Sequence, residues 1–542
     1  MKKNIIENIS VILEELDYPS DKLNVQKTKN PIHGDYSCNI AMILCKDIGE
    51  SPQNIAKKII TGIKKKYPNN FSSIEIANPG FINFKLNNNL LFTELQNIIK
   101  KDENYGKTNV GKGKKALIEF VSANPTGPLT IGHGRGAILG DSVSNLLAWN
   151  GYTIEKEYYF NNAGKQMDRL GLSVYLRYCE LLNQPIEFPE ECYQGKYIYN
   201  IAQILIDKHG DELLNKQDDP LFKKTAEDII FNDIKNTLQK LGIKFDNFFN
   251  EDSLYKNKSI FKVIDRLKEK KLIYEKDGAT WFAGSSIGRN SDRVLVKSTG
   301  EPTYRLPDIA YHKDKFNRKF DLIVDVFGAD HMDAYPDVMA AVEQLGCDTN
   351  KMKVLIHQFA TVSENGESVK MSTRKANFIT LDELLDEVGK DVVRYFFLMR
   401  GMNTHLNFDI DIAKSESDEN PVFYLQYAYA RICNILNRAI ELNYDTKNPE
   451  LSLLNTDIEL EIINNLISFP DCIKEVANKL EPQIIINYLQ NVALQFHRFY
   501  SKNKVLTDDK ELSKSRLLLI KSIKIVLRNG LDIIGISHPE RM

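Results

Sequence analysis

The sequence predicts an α/β protein built around a parallel sheet, with a smaller α/β domain before it and an all-α bundle after it. Three observations carry that expectation. Between Ala116 and Val362, short apolar runs alternate with helical patterns, as in parallel strands joined by crossover helices. Before that stretch, the polar Gly- and Lys-rich segment "NYGKTNVGKGKK" reads as a linker. After "SESDENP" at 415–421 the strand signal fades and amphipathic helices remain. At 542 residues the chain is too long for one core, and about 150 residues per domain suggests three or four units. The edges are expected near 1–110, 111–414 and 415–542.

In the first region, "SSIEIANPGFINFKL" places Ile74 and Ile76, then Phe81, Ile82 and Phe84, around an "NPG" turn, which predicts two short strands. In the second, "ALIEFV" is an apolar strand. Leu139, Val143, Leu146 and Leu147 then recur at helical spacing, predicting a helix that ends at "NG" with Gly151 as its C-cap. "YTIEKEYYF", "FDLIVDVFGA" and "KVLIHQFATV" are further strands. The charged, mostly helical stretch at about 180–290 reads as an insertion or lid. The third region offers four long helices, "VFYLQYAYARICNILNRAIEL", "DIELEIINNLISFPDCIKEVANKL", "QIIINYLQNVALQFHRFYSK" and "SRLLLIKSIKIVLRNGLDIIGI", the first opened by Asn420-Pro421.

With 42% hydrophobic and 27% charged residues, the composition is that of a soluble protein. Its apolar runs fall short of the roughly 18 residues that span a bilayer. The start, carrying Glu7, Glu14, Glu15 and Asp17, predicts no signal peptide. Seven cysteines without a CxxC pair favour neither a disulfide framework nor structural zinc, so a reducing cytoplasm is expected. The net charge of −2 hides two basic clusters. Lys57 and Lys64, and Lys58 and Lys65, share a helix face; Lys510, Lys514, Arg516, Lys521, Lys524 and Arg528 lie near the end. Either cluster alone reads as a solvated face, whereas two at opposite ends suit a long polyanion.

The stretch "SANPTGPLTIGHGRGAILGD" at 122–141 sets five glycines and one histidine before a helix. A strand, a loop and a helix N-terminus aim free N–H groups and the positive end of the helix dipole at one point, where Gly132, Gly134 and Gly136 allow close approach. Gly134, Gly136 and Gly140 also spell a variant dinucleotide fingerprint. That reading is disfavoured because "SANPTGPLTI" separates them from the strand. His133 alone would read as structural. Downstream, however, Lys370 and Arg374 flank a turn of small residues in "VKMSTRKANF", and a cationic loop facing a helix N-terminus suits a triphosphate.

These two strings carry a resemblance. "PLTIGH" resembles the HIGH signature, and "KMSTR" the KMSKS signature, of class I aminoacyl-tRNA synthetases. "SANPTGPLTIGHGRGAILGD", "KMSTRKANFITLDELLDEVG", "NPVFYLQYAYAR" and "GISHPERM" resemble the arginyl-tRNA synthetases of the bacterial type, and "IHGDYSCNIA" resembles that family's N-terminal domain. The resemblance covers all three regions. It implies a Rossmann-type catalytic domain, an N-terminal domain touching the tRNA elbow and an α-helical anticodon-binding domain. It also implies activation of L-arginine with ATP to arginyl-adenylate and pyrophosphate, then transfer to the 2′-hydroxyl of the terminal adenosine of tRNA(Arg).

By the same resemblance the HIGH region comprises Ala123, Asn124, Pro125, Thr126, Gly127, Pro128, Leu129, Thr130, Ile131, Gly132 and His133. The expected catalytic residues are His133, Thr130, Lys370 and Arg374; ATP is expected at Gly132, His133, Gly134, Gly136, Lys370, Met371 and Ser372. Two positions depart from the signatures: Thr130 replaces the first histidine of HIGH, and Thr373 replaces a lysine of KMSKS. A hydroxyl can still donate, but losing one charge-assisted hydrogen bond of roughly 1.5–3 kcal/mol would slow the reaction about 10–100-fold unless compensated.

A guanidinium is a planar fork of donors that carboxylates match bidentately. Tyr304 and Asp308 in "EPTYRLPDIAYH" are one helical turn apart if that segment is helical, and resemble the family's arginine-binding Tyr-x-x-x-Asp. Glu251 resembles its second acidic contact, and Ser122 and Asn124 belong with the arginine-binding group. Singly, Asp308 reads as a helix cap, Glu251 as a surface charge and Asn124 as a turn residue. Lysine cannot fill a paired fork, and the unpaired acceptors would cost about 3–6 kcal/mol, so no editing domain is expected. Asp330 and His331 in "GADHMDAY" lack a second ligand pair at zinc spacing and are expected on the adenosine side; magnesium is expected with ATP, and no zinc. Tyr424, Tyr427 and Tyr429 could offer stacking surfaces to tRNA, although core packing suits most of them better. The expected protein is a monomeric cytoplasmic enzyme with no membrane contact. A class I synthetase for another amino acid and a non-catalytic tRNA-binding paralogue remain as alternatives.

Overall fold

Residues 1–28, 30–162, 164–368, 379–417, 419–444 and 447–542 are described in the computed structural model. At the N-terminus, Phe71–Ala77 and Phe81–Leu86 form the expected antiparallel pair, joined by Tyr36–Cys38 and then Val25–Lys27. Helix Pro52–Lys66 packs on this unit. Ser51 caps it by accepting the Asn54 N–H, Pro52 opens its first turn, and Ile55, Ile59 and Ile63 face inward, which leaves its lysines outside.

The central sheet has five parallel strands in the order Met352–His357, Leu322–Gly328, Lys115–Glu119, Thr153–Phe160, Asn247–Asn250. Chain order runs outward from Lys115–Glu119 in both directions. That reversal creates a crevice at the carboxyl ends of the strands, where open α/β sheets bind ligands. Helix Ile131–Trp149 crosses the sheet here and ends at Asn150, with Gly151 left-handed at φ +83° just beyond it. A methyl group on Gly140 would overlap the Phe120 ring, so this glycine allows the helix to lie against the sheet.

Two segments differ from expectation. The run 353–362 divides after His357, and Ala360–Glu364 pairs instead with Leu406–Asp409 in a second sheet. Between them the Gln358 N–H donates to Met402 O and its carbonyl accepts from Arg135, so its polar groups are turned out of the parallel ladder. The stretch at about 180–290 is not a single insertion. Helices Lys165–Leu181, Lys196–His209 and Pro220–Lys240 pack together, but Asn247–Asn250 returns to the parallel sheet. A small antiparallel sheet of Ile273–Lys276, Ala279–Phe282 and Arg293–Val296 follows.

The last region contains helices Pro421–Glu441, Asp457–Leu466, Phe469–Lys479, Gln483–Lys502 and Lys510–Ile534. The second expected helix is two, because Pro470 has no N–H to continue the ladder and sits in the first turn of a new helix. The basic cluster near the end is also not a free stripe. Arg516 is buried against Glu459, Arg528 meets Asp102, Lys524 meets Glu540 and Lys514 meets Glu511. Arg394, fully buried, donates to Ile534 O, Leu241 O and Asp141, tying this bundle to the helix Ile131–Trp149. Among the described residues no helix is long and apolar enough to cross a membrane.

Candidate active site

A cavity of about 710 Å³ opens at the carboxyl ends of the parallel strands, lined among others by Ser122, Asn124, Thr130, Gly132, His133, Gly136, Glu251, Tyr304 and Asp308. Its floor begins where strand Lys115–Glu119 ends. Val121 and Ser122 both take left-handed backbone, at φ +69° and +43°, which a β-branched residue adopts only when its surroundings hold it there. Here they do. The Ser122 N–H donates to Phe120 O, its hydroxyl donates to Glu119 at 2.8 Å, and the same oxygen accepts the Tyr159 N–H at 3.1 Å. Beyond it, Tyr158 donates to Ala123 O and Tyr197 to Thr126 O, each at 2.7 Å, while Asn124 donates to Gln166 at 2.6 Å. Tyr197 also lies against Gly127, and Leu129 is buried, its carbonyl accepting the Leu381 N–H. Pro125 and Pro128 complete this loop and Ile131, fully buried, opens the helix.

At that helix start, Thr130 is the N-cap. Its backbone N–H donates to His133 Nδ1 at 3.1 Å and its hydroxyl lies 3.2 Å from the same atom. With Nδ1 accepting, the neutral ring carries its proton on Nε2. Burial lowers the His133 pKa against the opposing pull of Asp330, so the ring is a neutral donor. The glycines divide by face. A methyl on Gly132 would meet nothing closer than Thr130 at 3.7 Å, and Gly136 approaches His357, so both face the cavity. Gly134 does not: its N–H is bonded to Thr130 O and its α-carbon packs on Leu381 and Phe397.

The opposite wall is acidic. Glu251 is 6% exposed, which removes the surface-charge reading, and burial with repulsion from Asp308 pushes its carboxyl up to about 7 despite the Tyr255 hydroxyl, which donates to it at 3.4 Å, and the nearby Tyr159. Burial likewise raises Asp308, against the pull of His312 and His331. Tyr304 immediately precedes helix Arg305–Asn317, so it and Asp308 are one turn apart on one cavity, although Tyr304 is 70% exposed. Asp330 and His331 lie on the cavity wall after strand Leu322–Gly328. Lys370, Met371, Ser372, Thr373 and Arg374 lie outside the described residues. Immediately after that segment, however, Thr380 pairs with Thr130 in an isolated bridge.

Behind the wall runs a buried network that the motifs did not point to. Lys315 bonds Glu119 and, at 2.8 Å, Asp325; His312 places one ring nitrogen 3.0 Å from Asp325 and the other 2.7 Å from Asp308 O. Burial opposes the Lys315 charge, but Asp325 and Glu119 outweigh it and hold its pKa above the ordinary value. The network therefore joins Ser122, through Glu119, to the backbone of Asp308. Its signal in the sequence was a single acid within an apolar strand, Glu119 in "ALIEFV" and Asp325 in "LIVDVF". His357, another unforeseen lining residue, has its pKa lowered to about 4 by burial.

A neutral histidine at a helix N-terminus faces two desolvated carboxylates across one cavity, and the sequence profiles of known families match in the same order. Residues 3–86 match the arginyl tRNA synthetase N-terminal domain, 94–397 the catalytic domain of class I (R) tRNA synthetases, and 425–542 the DALR anticodon binding domain. The arginine–tRNA ligase of Desulfotalea psychrophila is 46% identical over 97% of this chain and 96% of its own length. That of Chlorobium limicola is 47% identical over the whole of both chains. The chain belongs to the arginyl-tRNA synthetase family. The arginyl-tRNA synthetase structure from Thermus thermophilus shares the fold, with a TM-score of 0.79 at 21% identity over the whole of both chains. The Plasmodium falciparum enzyme gives 0.75 at 20% identity, covering 100% of this chain and 99% of its own. Thr130, the helix cap beside His133, stands where the HIGH signature has its first histidine.

Proposed function

We infer that this chain activates L-arginine with ATP and loads it onto tRNA. The observation that carries the reading is the pair of buried Glu251 and half-buried Asp308, two acids without a described cation partner in a cavity that also holds the His133 helix terminus. A guanidinium supplies the missing charge and the matching donor fork. Asp308, Glu251 and Tyr304 hold the side chain of arginine, and Ser122 and Asn124 its α-amino and carboxyl end. ATP lies along Gly132 and Gly136, with His133 Nε2–H donating to phosphate oxygen; Gly134 acts through helix packing. Lys370, Met371, Ser372 and Arg374 close on the triphosphate from the other side, and magnesium comes with the nucleotide. The arginine carboxylate attacks the α-phosphorus in line, the bond to the β-phosphate oxygen breaks, and pyrophosphate leaves with that electron pair. The 2′-hydroxyl of the terminal ribose then attacks the arginyl carbonyl and AMP departs. Positioning and charge stabilisation drive both steps.

The division at 1–110, 111–414 and 415–542 belongs to this reading. So does tRNA recognition by the helical bundle, supported by a second cavity, of about 630 Å³, where Arg431 stacks 4.6 Å from Tyr427 and 5.0 Å from Tyr500, a setting for an unstacked base. Tyr429, in contrast, is core. A monomer belongs to the same reading. The cytoplasm follows from the cysteine usage. Pyrophosphate exchange, run with and without tRNA, tests the reading: exchange dependent on arginine is expected, and none under either condition overturns it.

A further inference from the structure

We propose that Arg289, Arg293 and Arg305, gathered on Asp337 beside the cavity, bind phosphodiester groups of the 3′ single strand of tRNA. The proposal rests on the reading that tRNA is the second substrate. Asp337 is buried in the first turn of helix Tyr335–Gln344, between Tyr335 and Val338, both of which line the cavity. Arg289 Nε donates to its Oδ1 at 3.2 Å and Arg293 Nε to its Oδ2 at 2.6 Å. Arg305, next in sequence to the cavity-lining Tyr304, brings its Nε to 3.7 Å from Oδ2.

A clamp between the small antiparallel sheet and this helix needs no third cation. Arg289 and Arg293 already occupy both oxygens of Asp337, and the Arg305 Nε is buried without a hydrogen-bond partner among the described residues. Three guanidiniums on one carboxylate repel one another, and an anion relieves that repulsion. The geometry is prepared for one. Arg289 and Arg293 meet Asp337 through Nε, so their Nη groups are left for a second acceptor, and all three side chains are about a third exposed (32%, 34% and 30%). Lys165 and Lys297, which share Glu301, extend the same positive edge. Asp292, whose carboxylate accepts from Ser285 and Tyr274, offsets one of these charges, but five cations against Asp337, Glu301 and Asp292 leave the edge net positive. The terminal ribose must reach a cavity bordered by this edge, and guanidinium forks match phosphate bidentately.

The test is tRNA binding by full-length protein over a salt series, comparing wild type, Arg305→Gln and the double variant Arg289→Gln/Arg293→Gln. Each lost phosphate contact lowers the slope of log K against log salt by about 0.7 for single strands. A fall of about 0.7 is expected for Arg305→Gln and about 1.4 for the double variant, with at least tenfold weaker tRNA binding in the latter and unchanged KM for ATP. Arg305 makes no hydrogen bond to Asp337, so the melting temperature of Arg305→Gln should hold, and this variant decides the matter alone if the double variant fails to fold. With tRNA shortened at its 3′ end, wild type and variants should bind alike. Unchanged slopes, a changed KM for ATP alone, or equal loss with shortened tRNA overturns the proposal. Failure of the wild type to charge arginine overturns the functional reading instead, and leaves the salt result to stand by itself.

Discussion

At Thr130 the backbone N–H and the hydroxyl both lie on His133 Nδ1, at 3.1 and 3.2 Å, so the residue orients the ring and, in the proposed function, would act on phosphate through it. Removing the hydroxyl costs about 1 kcal/mol of capping, roughly fivefold in rate, whereas removing the ring deletes a hydrogen bond to charge worth about 1.5–3 kcal/mol. Thr130→Ala should therefore slow pyrophosphate exchange less than His133→Ala, which is expected to lose about 10–100-fold; equal losses would count against the capping role. Glu251 makes a second prediction. Its carboxyl, raised to about 7, keeps its proton in the free site below that pH, and a guanidinium requires the carboxylate. Arginine affinity should rise as pH rises through about 7, and Glu251→Gln should flatten that dependence, as read by calorimetry. Stability runs the other way. Because the folded value exceeds the unfolded one, stability without arginine should fall as pH rises from about 4.5 through 7, and a thermal melt series with and without arginine checks the sign.

Elements show why helix and strand arrangement set the site. The four glycines of helix Ile131–Trp149 look alike in sequence, yet Gly132 and Gly136 face the cavity while Gly134 and Gly140 face Leu381 and Phe120. A helix turns about 100° per residue, so the faces are computable, but which neighbour each face meets depends on strands and helices far along the chain. Gly140→Ala should overpack the contact with Phe120 and destabilise by about 1–3 kcal/mol, seen as a lower melting temperature. A melt unchanged within error would mean the helix can lift from the sheet. The strands around the site were readable from apolar runs because strands buried on both faces are continuously hydrophobic. The run 353–362 was not separable in that way, since two strands of different sheets abut with only Gln358 and Phe359 between them.

Across the whole molecule, Arg394 links three regions: Asp141 on the helix that carries His133, Leu241 after the helical insertion, and Ile534 at the end of the last helix. Arg394→Met leaves Asp141 buried with Lys156 as its remaining ion pair, and about 3–5 kcal/mol of destabilisation is expected, read by denaturant unfolding. The second cavity predicts a separable effect. Tyr427→Ala should raise the KM for tRNA by about 5–100-fold, the worth of one base–aromatic stack of about 1–3 kcal/mol, while the KM for arginine and ATP stays level.

By itself the sequence determined what is local: strand and helix periodicity, the helix start at Asn420-Pro421 and the helix end at Gly151, and motifs long enough to carry the resemblance, with residues as distant as Asn124, His133, Glu251 and Asp308 singled out before any geometry. Only the tertiary structure decided their surroundings. Glu251, expected singly as a surface charge, is buried beside Asp308; Arg516, counted in a basic cluster, is buried on Glu459; and Asn247–Asn250 belongs to the parallel sheet rather than to an insertion. The physical reason is common to all three. Periodicity and capping depend on neighbours within a turn or two, whereas burial, ion pairing and strand registry depend on which distant surfaces meet, and no short window of sequence contains both partners.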